Sequence, residues 1–150
     1  MTLDFLPWEL AETSRLLRRA YDRRVASLGI TSAQWRVLFW LSRESNLRQV
    51  ELADRLDLEP ITLCRIIDRL AEAGLVERLS DPSDRRAWRL ALTAKAAPVL
   101  EQLLALATKL RAEAFEGLDQ PVLDQIRDGL ERIRDNVSRI DQSPPNRVSA

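Results

Sequence analysis

Thr62, Arg65 and Arg69 stand three and four residues apart, a spacing that puts them on one face of a helix. Pro60 and Ile61 come just before them, and Arg85 and Arg86 follow in the polar stretch Asp81-Pro-Ser-Asp-Arg-Arg86. A guanidinium is a flat fork of donors that pairs bidentately with a carboxylate, a phosphate or the exposed edge of a guanine. Ile61 and Thr62 carry methyl groups that can meet the methyl of a thymine. Two adjacent arginines suit a narrow groove of negative potential. The chemistry on offer is recognition of a polyanion, not bond making. The bland alternative is a solvated helix face, which is what exposed charges usually make.

The rest of the composition removes competing chemistries. The chain has 150 residues, enough for about one domain with a real core, with 45% apolar and 31% charged residues. It contains no His and one Cys. That excludes His-based acid–base catalysis, Ser-His and Cys-His nucleophile pairs, and His or thiolate zinc sites. Four Gly leave no GxGxxG or Walker A loop to cradle phosphate. No pattern sets an acidic pair in an apolar cleft, so the chain reads as a non-enzyme without a cofactor. The N-terminus MTLDFLPWEL has no basic leader, and the longest strongly apolar run is Val37–Leu41, far short of a membrane span. A cytoplasmic location is the expectation. Lys+Arg and Asp+Glu both number 23, and a net charge of zero speaks mildly against a nucleic-acid partner.

The elements that must hold these residues are read from hydrophobic spacing. Leu6, Leu10, Thr13, Leu17, Ala20, Tyr21, Val25 and Leu28 stripe a first long helix, ended by Gly29. Thr31 and Gln34 form a capping box for a second, nearly all-apolar helix that runs to about Ser42. Leu47, Val50, Ala53 and Leu56 line a short third helix. Asp57 to Pro60 reads as a turn, since Pro60 suits a first helical turn and restricts the residue before it. A fourth helix runs to Ala73 with Leu63, Ile66, Ile67 and Leu70 inside and Thr62, Arg65, Arg69 and Glu72 outside, closed by Gly74. The period then shortens: Leu75–Ser80 and Ala87–Leu92 read as strands joined by the polar turn Asp81–Arg86. Trp88 is expected to anchor this hairpin to the body. Thr93 is expected to cap a helix striped by Leu100, Leu103, Leu104, Ala107, Leu110 and Ala114. A last helix opens at Pro121 and carries Val122, Ile126, Leu130, Ile133, Val137 and Ile140. Residues 142–150 are expected to be a disordered tail.

Helix, short helix, turn, helix and hairpin in that order make a winged helix-turn-helix, mainly α with a small β-hairpin wing. A helix fits the major groove with its early residues at the base edges, here Pro60, Ile61, Thr62 and Arg65, with Arg69 one turn on. The hairpin tip with Arg85 and Arg86 could enter a neighbouring minor groove. From Arg78 to Lys95 five cations face two carboxylates, so the wing is locally basic in a neutral chain.

Three stretches resemble the MarR family of bacterial transcription regulators, its SlyA-like branch in particular. They are Leu28-Gly-Ile-Thr-Ser-Ala-Gln-Trp-Arg-Val-Leu38, then Gln49–Ala53 with Leu58–Leu70 and Gly74–Arg78, then Asp81–Arg86 with Leu92-Thr93. The family's wing pattern, Asp-x-Arg followed by Leu-Thr, falls on Asp84, Arg86, Leu92 and Thr93, and the flanking helices match in order and length. The resemblance implies a homodimer that binds a palindromic operator on double-stranded DNA, most often as a repressor released by small aromatic ligands. It puts Arg65 at the base-reading position and Arg86 at the minor groove, with Asp84 orienting the wing arginines through a charge-assisted hydrogen bond. It divides the single domain into a DNA-binding lobe, 31–96, and a helical dimerisation arm, 1–30 and 97–141. Asp57 stands where the family usually has Gly in the turn, and Ala96 where a Gly is common after Leu-Thr. The reactive N-terminal Cys of the peroxide-sensing branch has no counterpart here.

Two groups keep a double reading. Trp8, Trp35, Phe39 and Trp40, with Phe5, could line a site for an aromatic effector or be ordinary core. Cys64, at the edge of the apolar face of its helix, suits small-residue packing better than a redox switch, which needs a lowered thiol pKa. The competing function is a winged-helix protein-interaction module that no longer binds DNA, which the neutral net charge favours and Thr62, Arg65 and Arg86 oppose.

Overall fold

A computed structural model describes residues 5–142; the expected tail, apart from Gln142, lies outside the described residues. The chain divides into two compact units, one ending at Ala114 and the other beginning at Phe115. The first contains α1 (Leu6–Val25), α2 (Ser32–Arg43), β1 (Leu47–Arg48), α3 (Gln49–Leu56), α4 (Pro60–Glu72), β2 (Val76–Ser80), β3 (Trp88–Leu92) and α5 (Ala96–Ala114). The second carries α6 (Gln120–Gln142). No described helix is long and apolar enough to cross a membrane.

α1 ends three residues earlier than its stripe suggests. A 3₁₀ turn, Ala26–Leu28, tightens the exit before Gly29, whose φ of 70° only glycine adopts at no steric cost. Both halves of the capping box on α2 form: Gln34 N–H donates to Thr31 Oγ1 at 3.2 Å, and Thr31 N–H to Gln34 Oε1 at 3.0 Å. α5 lies along α1, where the buried Tyr21 hydroxyl donates to the Leu103 carbonyl at 2.7 Å and Arg24 pairs with Glu113.

One core fills the first unit. Val37, Leu38 and Leu41 of α2 meet Leu52 and Leu56 of α3, Leu63, Ile67 and Leu70 of α4, and Val76 and Leu90 of the sheet. Each of these side chains contributes about 1.5–3 kcal/mol by leaving water. The expected face of α3 needs correction. Val50 is 65% exposed while Leu52 is fully buried, and Leu47 lies in a strand instead of in the helix. Leu47 and Arg48 pair antiparallel with Leu90 and Arg89, giving a three-stranded sheet of order β1-β3-β2 instead of a bare hairpin. Leu47 leads the helix into that sheet because burying it there also satisfies the backbone on the free edge of β3.

Thr93 does not cap α5. Its hydroxyl donates to the Gly74 carbonyl and its N–H to the Leu75 carbonyl at 3.0 Å, so the exit of β3 is tied to the end of α4. Gly74 itself has φ 73°, and a Cβ there would stand 3.3 Å from Lys95 Cδ. The Asp57 turn is left-handed without glycine, with φ 53° and ψ 47°.

Candidate nucleic-acid interface

α4 presents its polar face because its other face is anchored. Leu63, Ile67 and Leu70 are buried, whereas Pro60, Ile61, Thr62, Arg65 and Arg69 are all exposed. Pro60 occupies the first turn, where its missing N–H costs nothing, and the Glu59 carbonyl accepts from Thr62 and Leu63 at 3.0 and 3.1 Å. Ile61 is 64% exposed, a large apolar side chain beside Thr62 at the leading end of the helix. The positive dipole end of the helix there adds to the attraction for phosphate.

Three arginines fix this helix and the wing: Arg78 and Arg89, which the sequence counts only toward the wing's charge, and Arg48, which it does not single out. Arg78 on β2 bonds Asp68 Oδ1 at 2.7 Å, the Cys64 carbonyl at 3.3 Å and Gln49 Oε1 at 3.4 Å, so one guanidinium joins the sheet to α4 and α3. Arg48 and Arg89, opposite each other in the sheet, both donate to Asp81 Oδ2, at 2.7 and 3.0 Å. Asp81 is 3% exposed, and its other oxygen accepts from the Ser83 backbone at 2.8 Å and the Ser83 hydroxyl at 2.6 Å. The hydrogen bonds from Ser83, then those from Arg48, hold its carboxyl well below the ordinary aspartate range. Asp-Pro-Ser at the head of a turn is the signal that could have found this carboxylate, because Asp side chains bond the backbone two residues on. Nothing in the local pattern reveals its cationic partners, which come from other strands.

Asp84, expected to orient the wing arginines, bonds instead to the backbone N–H of Arg86 at 2.9 Å. Its carbonyl accepts from Ala87 at 3.0 Å. Asp84 therefore shapes the turn, and the guanidiniums of Arg85 and Arg86 stay free. Asp81 instead holds Arg48 and Arg89 at the base of the wing and touches neither Arg85 nor Arg86. Trp88 does not anchor the hairpin either, since it is 49% exposed; Leu90 and Arg78 do that work two residue pairs closer to the body.

The lobe's arginines thus fall into two sets. Arg36 donates to the Leu56 carbonyl at 3.1 Å, Arg43 lies over Phe39, Arg55 pairs with Glu44 over the Trp40 ring, and Arg48, Arg78 and Arg89 are bound as described. Burial, which disfavours the charged form, lowers the Arg36 pKa. Arg65, Arg69, Arg85 and Arg86 are exposed and have no carboxylate within 4.0 Å among the described residues. The fold gives the first set protein partners and, among the described residues, leaves unpaired the four that the sequence pattern singles out.

In the single chain the aromatic rings form two close pairs among the described residues. Trp35 packs edge-on against Tyr21 at 4.7 Å and donates to Asp22 Oδ1 at 2.7 Å, and Phe39 meets Trp40 edge-on at 6.2 Å. Trp8, near the start of α1, is 74% exposed and has no ring contact with the others. Cys64 is partly buried, with its sulfur 3.7 Å from an Arg78 nitrogen. No group of three or more metal-ligating side chains occurs among the described residues.

The sequence model of the MarR family matches residues 30–88, the stretch from just before α2 to the first residue of β3. Among solved structures, the transcriptional regulator PA3341 is 36% identical with a TM-score of 0.81, covering 89% of this chain and 98% of its own. A MarR transcriptional regulator from Methanosarcina mazei is 27% identical with a TM-score of 0.81, over 91% and 98% of the two chains. CouR from Rhodococcus jostii, bound to p-coumaroyl-CoA, is 27% identical with a TM-score of 0.73, over 87% and 92%. An unpaired arginine face on a helix that follows a turn, a basic wing beside it, and likeness to these regulators over nearly their full length meet in one conclusion: the chain belongs to the MarR family of transcriptional regulators.

Proposed function

We propose that this protein is a ligand-responsive repressor of the SlyA-like branch that binds a palindromic operator as a homodimer in the cytoplasm. The observation that carries the DNA reading is the sorting of arginines. Among the described residues, Arg65 and Arg69 on α4 and Arg85 and Arg86 on the wing are guanidiniums left without protein partners, at the two places a winged helix meets a duplex. α4 enters the major groove, with Ile61 and Thr62 at thymine methyls and Arg65 at a guanine edge. The wing reaches the minor groove with Arg86. Residues 31–96 serve as the DNA-binding lobe and residues 1–30 and 97–141 as the dimerisation arm. The apolar stripe of α6 supports this division: Ile126, Ile133, Val137 and Ile140 are exposed in the single chain, at the alternating spacing by which helices pair.

The effector is a small aromatic compound held near Trp35, Phe39 and Trp40, with Trp8 brought in by the arm. CouR carries an aromatic acyl-CoA, which supports that chemical class. Such a ligand acts by binding the DNA-free geometry more tightly than the bound one.

The test is selection of bound duplexes from random DNA, followed by a screen of aromatic acids for release. A palindromic consensus bound with a steep salt dependence is the expected result. A protein that enriches no sequence, and binds no duplex even at low salt, is an interaction module and not a repressor.

A further inference from the structure

Trp88 is the largest exposed side chain on the wing, and the protein interior does not account for it. It opens β3 directly after the tip that holds Arg85 and Arg86. In the antiparallel register it stands opposite Ser80, as Leu90 stands opposite Arg78. Side chains two apart on a strand share a face, so Trp88 lies on the face of Leu90, which is fully buried, and of Arg78, which reaches Cys64 and Asp68 on α4. That face is turned toward the recognition helix. Trp88 continues it outward by two pairs, about 7 Å further along the strand, past the end of the core. The result is a row running from the fixed Arg78 through the half-exposed indole to the unpaired Arg85 and Arg86.

We infer that Trp88 is a DNA-contacting residue of the wing, its indole packing on the sugar–phosphate backbone between the grooves entered by α4 and by the wing tip. This rests on the DNA-binding reading above. The occupant is a duplex because the neighbouring cations are unpaired and would repel a basic partner, while backbone phosphates pair with them. The deoxyribose rings between those phosphates offer an apolar surface to a flat side chain. An aromatic ring with a polar N–H suits a boundary that is apolar on one side and wet on the other. The contact reads no base and adds affinity at every sequence.

The experiment uses the full chain and a duplex that it selects from a random pool. Comparison of the parent with Trp88→Phe isolates the Trp88 part of the tryptophan emission, and acrylamide quenching of that part is followed with and without duplex. Acrylamide accessibility of Trp88 is expected to fall when the duplex binds. Trp88→Phe, which keeps a ring, should bind within a few fold of the parent. Trp88→Ala should bind about tenfold more weakly to selected and unselected duplexes alike. An unchanged melting transition shows that the alanine variant is folded. A Trp88 that stays fully quenchable while the parent binds its duplex overturns the assignment and leaves the DNA-binding reading standing. A parent that binds no duplex overturns both. Shielding of Trp88 by raised protein concentration alone, without DNA, also overturns the assignment, in favour of contact with a second copy.

Discussion

Arginines at the surface and arginines at the wing base do opposite jobs in this molecule. Arg65→Ala is expected to cost about 1–3 kcal/mol on the preferred duplex and to relax preference at one base pair. Arg86→Ala should cost less and shift preference mainly at A·T pairs, because the minor groove distinguishes little else. Anisotropy titrations at one salt concentration, over the selected duplex and its single-position variants, measure both. Asp81 calls for a different measurement. Its folded pKa is depressed below the ordinary aspartate range, so it contributes stability that is present above that range and lost as pH falls through and below it. The parent's melting temperature should therefore decline on acidification below the ordinary aspartate range. Asp81→Asn should melt several degrees lower at neutral pH, with a shallower acid decline. A variant with the parent's melting temperature at neutral pH would show that Arg48 and Arg89 need no carboxylate between them. At this scale the sequence showed which residues face outward, since helical spacing fixes that. It did not show that Asp81 and not Asp84 holds the arginines, because Arg48 and Arg89 reach it through strand pairing that local spacing cannot reveal.

Elements were legible where they were long. The four longest helices follow their apolar stripes, and the capping box marks the start of α2 to the residue. β1 was hidden because two residues have no period, and because Leu47 sits three residues before Val50 in a pattern that imitates a helix face. The Asp57 turn is the element-scale feature with the clearest consequence. An L residue at φ 53° pays a steric cost that glycine avoids, partly offset by glycine's greater freedom in the unfolded chain. Asp57→Gly is expected to stabilise the protein by up to about 1 kcal/mol, and Asp57→Val to destabilise it by at least about 1 kcal/mol. Urea midpoints at constant slope decide between them. If valine is tolerated as well as glycine, the left-handed turn exerts no control over the angle between α3 and α4.

At the scale of the whole molecule, α6 has an apolar stripe and no buried residue of its own. Leu130→Asp with Ile133→Asp should convert a dimer into monomers or unfolded chain, and duplex binding should collapse with it. Sedimentation at micromolar concentration reads the first effect and a titration the second. A parent that sediments as a stable monomer removes the palindromic operator from the reading. The stripe was plain in the sequence. Its exposure was not, since the same spacing would serve a helix buried in its own chain.

The two-residue strand also sets an order of events. β2 and β3 join across a short turn, and α3 and α4 across another, so both pairs can form from neighbouring chain. Leu47 must find Leu90 across the whole recognition helix and wing, a closure whose chain entropy is lost before any contact is gained. Docking of β1 therefore belongs late, after the barrier to folding has been crossed. Leu47→Ala should speed unfolding and leave refolding nearly unchanged, as for contacts made after the transition state. The same edge is the first part of the sheet to open in the native protein. Hydrogen exchange at Leu47 and Arg48 should then run ahead of exchange at the β2–β3 ladder, a brief fraying at the root of the wing that leaves its hairpin whole.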